Sequence, residues 1–244
     1  MCDIIKTMSH ITRFWKNRFA MKRKSLLIAT FALLITGCSR DIDFEGMEKK
    51  SGEEIFSLGE KEMKEKHYSD AAKVFEELER LYPYSKLTAE AQLKTGECYY
   101  RAKKYNEAVA SFEIFVKTHP THEKTPYAVY MLGLINYQQM PIVERDQEAT
   151  VEALSYFKEL CERYPESKYV NDAEKKIKEI REQLAGREVY VARYYQRHKN
   201  YAAAIGRLNT VVEMYQDTAH RKGHDEVDDA GDGKCREVLQ ICTG

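Results

Sequence analysis

The residue whose type and position most clearly indicate chemistry is Cys38, which ends the motif ITGC at positions 35–38. This motif resembles a lipobox, the signal at which a lipoprotein peptidase cleaves before the cysteine. We therefore predict that Cys38 is lipidated and carries covalent diacylglycerol and an N-acyl chain. The alternatives are an ordinary secretory signal with a chance cysteine, or a buried strand.

The segment before Cys38 has the organisation of a signal peptide. A basic stretch at 22–24 precedes an uncharged apolar run from Ser25 to Thr36. About a dozen apolar residues are too few to cross a bilayer, which needs roughly 20, but they suit the apolar core of a signal peptide. We predict an N-terminal extension and signal peptide over 1–37 and a lipid-anchored linker over 38–51. A start at Met21 instead of Met1 would give a compact signal.

The anchor predicts where the mature chain resides. Each buried CH₂ contributes about 0.8 kcal/mol, so two or three acyl chains hold a protein on a membrane almost permanently. Ser39 follows the cysteine. In proteobacterial lipoproteins an aspartate at that position favours retention at the inner membrane. Its absence predicts a lipid-anchored location on the periplasmic face of the outer membrane.

Residues with catalytic or metal-binding potential are otherwise scattered. The chain has no G-x-S-x-G, H-E-x-x-H or P-loop motif. His119 and His122 flank Pro120 in a predicted turn without a neighbouring carboxylate or cysteine set, and Glu76-Glu77 belongs to a solvated helix face. We predict no enzyme activity, no metal site and no cofactor beyond the lipid. A peptidoglycan hydrolase is the enzyme alternative, although the chain has no room for a catalytic domain.

The net charge and the cysteines further limit the functions that the chain can have. Seven basic residues and one acidic residue precede Cys38, which leaves 32 basic and 38 acidic residues from there on, a net charge of −6. A mildly acidic chain has no electrostatic footprint for nucleic acid. Cys98 and Cys161 lie in helical patterns, and we interpret them as small core residues, although an oxidising periplasm would permit a bridge.

The sequence repeats with a period of 37 residues. Gly59, Gly96 and Gly133 follow this spacing. A third copy has eight extra residues around 140–147, and a fourth runs from Ala192 to Val211. Further positions with the same spacing are the pairs Tyr68 and Tyr105, Ala71 and Ala108, Phe75 and Phe112, and Pro83 and Pro120. These offsets match the tetratricopeptide (TPR) pattern, in which a small residue is followed by alanine, a large apolar residue and proline.

Apolar residues at i, i+4 and i+7 in each unit predict amphipathic helices that cannot bury their apolar stripes alone. We predict an all-α, TPR-like α-solenoid of helix–turn–helix repeats over 52–220, with an additional charged helix over 167–184. The glycines are expected to face the alanines at 71, 108 and 153, so that paired helices approach closely. The tyrosine-rich concave face would suit extended peptides, although any single tyrosine can equally be core filler.

Four segments carry a more specific likeness, namely RLYPYS (80–85), HPTHEKTPYAVYMLGL (119–134), ERYPESKY (162–169) and VARYYQRHKNYAAAIGRLNTVVEMYQDT (191–218). With the lipobox, they resemble the BamD family, the TPR lipoproteins of the outer-membrane β-barrel assembly machinery. The resemblance covers about residues 21–220. It implies a non-enzymatic scaffold whose partners are the barrel-forming subunit, unfolded outer-membrane proteins and other assembly lipoproteins.

The resemblance also implies particular residues. The N-terminal units would bind client peptides on a face that contains Tyr82 and Lys117, where Ile114 stands in place of a family arginine. The C-terminal units would bind the periplasmic domains of the barrel-forming subunit through Arg207 and Tyr195.

The C-terminal end departs from the family, which continues into a fifth helical pair. Residues 221–244 contain few aliphatic side chains and several glycines and acids. We interpret this stretch as an irregular tail that results from a frameshift or a truncation. Two other TPR functions stay open, a pilotin lipoprotein that escorts a secretin and a periplasmic cell-division coordinator. The Pro-Thr-His segment at 120–122 argues against the first, and the short linker without heptads argues against the second.

Overall fold

A computed structural model describes residues 45–222, so the predicted signal peptide, Cys38 and most of the tail lie outside the described residues. Within this range the chain forms helices and no strand, which confirms the all-α prediction. The helices are α1 (Gly52–Lys64), α2 (Tyr68–Leu81), α3 (Thr88–Arg101), α4 (Tyr105–Thr118), α5 (Thr125–Gln138), α6 (Glu148–Arg163), α7 (Val170–Arg197) and α8 (Tyr201–Met214), with short 3₁₀ helices at Glu45–Lys49 and Ala219–Lys222.

Consecutive helices pack as antiparallel pairs and each pair packs on the next, as a TPR-like solenoid requires. The units are α1–α2, α3–α4, α5–α6 and the second half of α7 with α8. The prediction of a separate helix over 167–184 is wrong. The helix α7 runs unbroken for 28 residues and includes the first helix of unit four. No proline interrupts it, and its single glycine, Gly186, continues the helix with His220 packed against it.

The periodic glycines face phenylalanines rather than the predicted alanines. A Cβ atom on Gly59 would lie 2.6 Å from the ring of Phe75. The same contact recurs between Gly96 and Phe112 at 2.9 Å. In the third unit a Cβ on Gly133 would lie 2.7 Å from the ring of Phe157. Each ring rests on the backbone of the preceding helix, which explains why glycine occupies a helix interior where alanine is normally favoured.

The turn inside three of the units contains a residue in the left-handed backbone conformation. Lys66, Lys103 and Lys199 have φ angles of 65°, 60° and 59°. In unit one the amide of Lys66 donates to the carbonyl of Met63 and that of His67 donates to the carbonyl of Glu62. This pattern is the Schellman motif that ends many helices, in which glycine is the usual left-handed residue. The stack therefore places lysine where the backbone favours glycine.

The turn between units is held by a buried threonine. The Thr88 hydroxyl donates to the carbonyl of Tyr82 at 2.6 Å, and Thr125 donates to the carbonyl of His119 at the same distance. Both threonines are the first residues of their helices and are buried. The Pro-Thr-His segment thus forms one copy of a structural turn that recurs along the stack.

Beyond α8 the chain folds back onto α7. Arg181 donates from Nε to both carboxylate oxygens of Asp217, at 3.0 and 2.9 Å, and from Nη2 to the carbonyl of Met214 at 2.8 Å. The Ala219 amide donates to Glu182. This arginine lowers the pKa of the Asp217 carboxyl. Residues 215–220 are therefore fixed to the last unit.

None of the helices within 45–222 combines the length and the apolar character that crossing a bilayer requires. Cys98 is buried, as predicted for a core residue, and Cys161 is half-buried beside the core of unit three. Both are free thiols. Burial, followed by the charge of Glu97, raises the pKa of the Cys98 thiol to about 12, so this cysteine stays protonated and unreactive.

Candidate protein-binding site

A groove on the described part of the chain is lined by aromatic rings and prolines. It encloses about 830 Å³ between α3, the start of α5 and the turn that follows α6. We call it the aromatic groove. Its aromatic and proline residues are Pro126, Tyr127, Tyr164, Pro165 and Tyr169, and its charged residues are Glu97, Glu123, Lys124, Arg163, Glu166 and Lys168.

The rings of the groove are held by one another. Tyr127 and Tyr169 lie 5.7 Å apart between ring centroids, and Tyr130 stacks on Tyr169 at 4.8 Å. Burial is the main cause that raises the pKa of Tyr127, and the nearby Glu97 carboxylate adds to it. The phenol therefore stays neutral. The groove offers rigid apolar faces with hydroxyl groups at their edges, bordered by three acidic and three basic residues.

Several other tyrosines serve the stack itself. The Tyr99 hydroxyl donates to Glu76 at 2.6 Å, and Tyr156 donates to Glu113 at 2.6 Å. Tyr130 donates to Asp172 at 2.7 Å, and Tyr137 donates to Glu179. Each bond joins different helices, and each carboxylate helps to keep its phenol protonated. These side chains hold neighbouring helices in register, so fewer tyrosines are available to a partner than composition alone suggests.

The predicted client residues do not line the aromatic groove. Tyr82 follows α2 and is half-buried, and its hydroxyl donates to the carbonyl of Lys50 at 2.5 Å. Its ring also lies 3.7 Å from the position of a Cβ on Gly52. Lys117 is exposed in the last turn of α4, and Ile114 on the same helix is 51% exposed. Tyr82 therefore anchors the start of α1, whereas Lys117 and Ile114 face solvent.

The predicted partner residues lie on the last helix pair. Arg207 extends from α8 and donates to Glu188 of α7 at 3.1 Å, with 47% of its side chain exposed. Tyr195 is half-buried in the last turn of α7, with its ring 5.7 Å from that of Tyr194. The two residues belong to one unit, and the described contacts do not join them directly.

The eight-residue insertion is fastened to α7. Gln183 donates to the carbonyl of Pro141 at 2.6 Å and to the side chain of Gln147 at 2.9 Å. Arg187 donates to the carbonyl of Glu144 at 3.0 Å. A second groove of about 510 Å³ lies between this loop and α7. The insertion is thus part of the rigid stack, with Ile142 exposed at its edge.

His119 and His122 both form hydrogen bonds within the protein. His119 Nε2 lies 2.8 Å from the side-chain oxygen of Gln92, whose amide donates to Glu79 at 2.5 Å. His122 accepts the amide of Lys124 through Nδ1. Burial lowers the pKa of His119. This chain of polar contacts links units one and two.

Residues 48–224 match the family model described as YfiO, outer membrane lipoprotein. The chain belongs to this family. The YfiO assignment confirms the resemblance seen in the sequence. Relatives include three proteins named outer membrane protein assembly factor BamD. The one from Caulobacter vibrioides is 31% identical over 210 residues, covering 85% of this chain and 68% of its own. The Xylella fastidiosa protein is 33% identical over 205 residues, covering 80% and 70%. The Neisseria gonorrhoeae protein is 31% identical over 212 residues, covering 81% and 79%.

The aromatic groove was not predicted from the sequence of this YfiO-family member. Its rings come from the start of α5 and from the turn after α6, which are 37–43 residues apart. The signal that could have indicated it is the recurrence of Pro and Tyr residues at the start of α5 and just before α7, namely Pro126-Tyr127 and Pro165 with Tyr169. A repeat register places both sets at the same end of the stack.

Proposed function

We propose that this chain is a lipid-anchored, non-enzymatic assembly factor for β-barrel proteins of the outer membrane, positioned on the periplasmic face. Membership of the YfiO family carries the proposal, because its relatives bear the name outer membrane protein assembly factor. The lipid on Cys38 would hold the helical stack at the membrane. The stack itself would bind unfolded client segments and the barrel-forming subunit.

The aromatic groove supports client binding. Extended segments of barrel proteins alternate apolar and polar residues. The paired rings of Tyr127 and Tyr169 supply rigid contact area for an apolar residue, and the mixed charges at the rim can pair with polar neighbours. We therefore place the client segment in this groove, with Lys117 and Tyr82 as the alternative contacts that the family resemblance implies.

Binding of a fluorescent peptide tests this placement. The probe is the last strand of an outer-membrane barrel protein, titrated with the full chain in mild detergent. We expect Tyr127→Ala to weaken binding at least about fivefold, because an aromatic anchor typically contributes more than 1 kcal/mol. Tyr84→Ala is the matched control, since Tyr84 is fully exposed outside the groove. If Tyr82→Ala or Lys117→Ala loses binding and Tyr127→Ala does not, the client segment binds at Tyr82 and Lys117 and not in the aromatic groove.

Arg207 supports docking of the barrel-forming subunit. Its guanidinium is half-exposed and held by Glu188, which is 19% exposed, so its position is fixed before a partner arrives. An arginine held in this way can form two parallel hydrogen bonds with a carboxylate of a partner. Tyr195 on the same unit would add apolar contact.

Co-purification tests the docking. The lipidated chain is expressed from its own gene, extracted in mild detergent, and its partners are identified by mass spectrometry. We expect a large outer-membrane barrel protein with periplasmic repeats, and we expect Arg207→Glu to lose it. Arg145→Glu is the control, because Arg145 is exposed on the insertion. Recovery of a secretin in place of the barrel protein would favour the pilotin function.

A further inference from the structure

We propose that Glu62, Glu65 and His67 form a site for one divalent first-row cation, with Zn²⁺ as the ion that suits these ligands. Their ligand atoms all lie within 4.8 Å of one another. His67 Nδ1 is 2.9 Å from Glu62 Oε2 and 3.5 Å from Glu65 Oε2. The site lies where α1 ends, away from every groove described above.

The burial of Glu62 is the first reason. It is the one charged residue that is buried in the described part of the chain, and its side chain is only 5% exposed. Between residues 45 and 222, its ion-pair partner is His67 and neither lysine nor arginine. A carboxylate removed from water requires a compensating charge. A bound cation would supply that charge permanently.

The turn geometry is the second reason. Lys66, at φ 65°, reverses the chain so that His67 lies over the last turn of α1, and the His67 amide donates to the carbonyl of Glu62. The carbonyl end of a helix favours positive charge. The imidazole, the two carboxylates and this helix end therefore converge on one point.

Equivalent turns show that the cluster is not needed for folding the turn. In unit two the positions of Glu62 and His67 hold Tyr99 and Lys104, whose ammonium lies 5.8 Å from the centre of the tyrosine ring. In unit four they hold Tyr195 and Asn200. The backbone hydrogen bonds are the same in all three turns. The ligand set is therefore specific to unit one.

The distances suit a small cation. Zinc bonds of about 2.0–2.2 Å separate tetrahedral ligands by roughly 3.3–3.6 Å. The contact between His67 and Glu65 already has this length, and the one between His67 and Glu62 needs to open by about half an ångström. The ligand atoms of the two carboxylates lie within 4.8 Å of each other, so side-chain rotation at the exposed Glu65 has to close the site. Three protein ligands leave the fourth position to water, and zinc binds such nitrogen and oxygen sets more tightly than manganese.

Zinc binding to the full-length chain tests the proposal. The protein is purified in mild detergent, stripped with EDTA, dialysed against ZnCl₂, and its bound zinc is counted by mass spectrometry. We expect wild type to hold one more zinc per chain than Glu62→Gln, and His119→Asn to match wild type. Equal zinc content in wild type and Glu62→Gln would overturn the site.

A second variant covers the case in which Glu62→Gln does not fold. His67→Lys replaces the imidazole with a permanent charge that can pair with Glu62. We expect ZnCl₂ to raise the melting temperature of wild type, EDTA to reverse the rise, and His67→Lys to show no response to either. A wild-type melting temperature that does not respond, or an equal response in His67→Lys, would overturn the proposal.

Discussion

The ring of Phe75 lies directly on the backbone of Gly59, so close that a Cβ atom there would be 2.6 Å from the ring carbons. The same relationship joins Gly96 to Phe112 and Gly133 to Phe157. In unit four the corresponding residues are Ala192 and Leu208, which pack in one core cluster. Where alanine replaces glycine at the first position, leucine thus replaces the larger phenylalanine at the second.

Gly96→Ala should destabilise the chain although alanine is the better helix former. A methyl group 2.9 Å from Phe112 forces the ring or the helix to move, which costs about 1–3 kcal/mol against a gain of about 1 kcal/mol in helix propensity. Urea unfolding should show a net loss of up to about 2 kcal/mol. Gly206→Ala is the control, because nothing lies within 4 Å of its Cβ position, and it should stabilise α8.

Phe112→Leu should restore part of the stability lost in Gly96→Ala, since the double variant reproduces the Ala192 and Leu208 combination of unit four. The two changes should therefore couple by about 0.5–3 kcal/mol in a double-mutant cycle. Strict additivity of the two free-energy changes would contradict the contact as the cause.

Lys103→Gly should stabilise the protein. Lys103 has a φ of 60°, where a side chain on an L-residue costs about 1–2 kcal/mol and glycine has no such cost. Glycine also has more conformational entropy in the unfolded chain, which opposes this gain. A net stabilisation of about 0.5–1 kcal/mol should remain. The neighbouring Lys104→Gly, at φ −89°, is the matched control and should not stabilise. Urea unfolding of both variants measures the difference.

Tyr130→Phe should weaken the packing of α7 on unit three. The Tyr130 hydroxyl donates to Asp172 at 2.7 Å, and the residue is half-buried, so its loss should cost about 0.5–1.5 kcal/mol. Tyr84→Phe removes a hydroxyl from a fully exposed side chain and should cost nothing measurable. Thermal unfolding followed by circular dichroism compares the two, and an equal effect would exclude the hydrogen bond as the cause.

Stability should fall as the pH drops below the ordinary histidine pKa of 6.5, in part because of His119. Burial lowers its pKa in the folded protein, so the unfolded chain binds the proton more readily. This contribution is complete above pH 6.5 and is lost as the pH falls toward the folded pKa. Urea unfolding between pH 8 and 5.5 should show a shallower dependence for His119→Gln than for wild type. Identical pH profiles would assign the effect elsewhere.

The period of 37 residues, the proline positions and the apolar stripes were enough to predict the helices and their pairing. These signals are local, because amphipathic spacing and helix-ending residues act within one or two turns of chain. The same locality explains the error at α7. Both predicted helices have the right spacing, and only the absence of a breaker between Leu184 and Val191 joins them.

Thus the sequence alone determined the repeat architecture and indicated the family, since both depend on residue types at fixed offsets. Only the tertiary structure decided which side chains meet. The partner of Gly59, the aromatic groove around Tyr127 and the approach of His67 to Glu62 depend on how helices pack and how a left-handed turn at Lys66 reverses the chain. Such contacts depend on helix packing, or on a backbone angle that the residue type does not favour, and helical periodicity within one element reports neither.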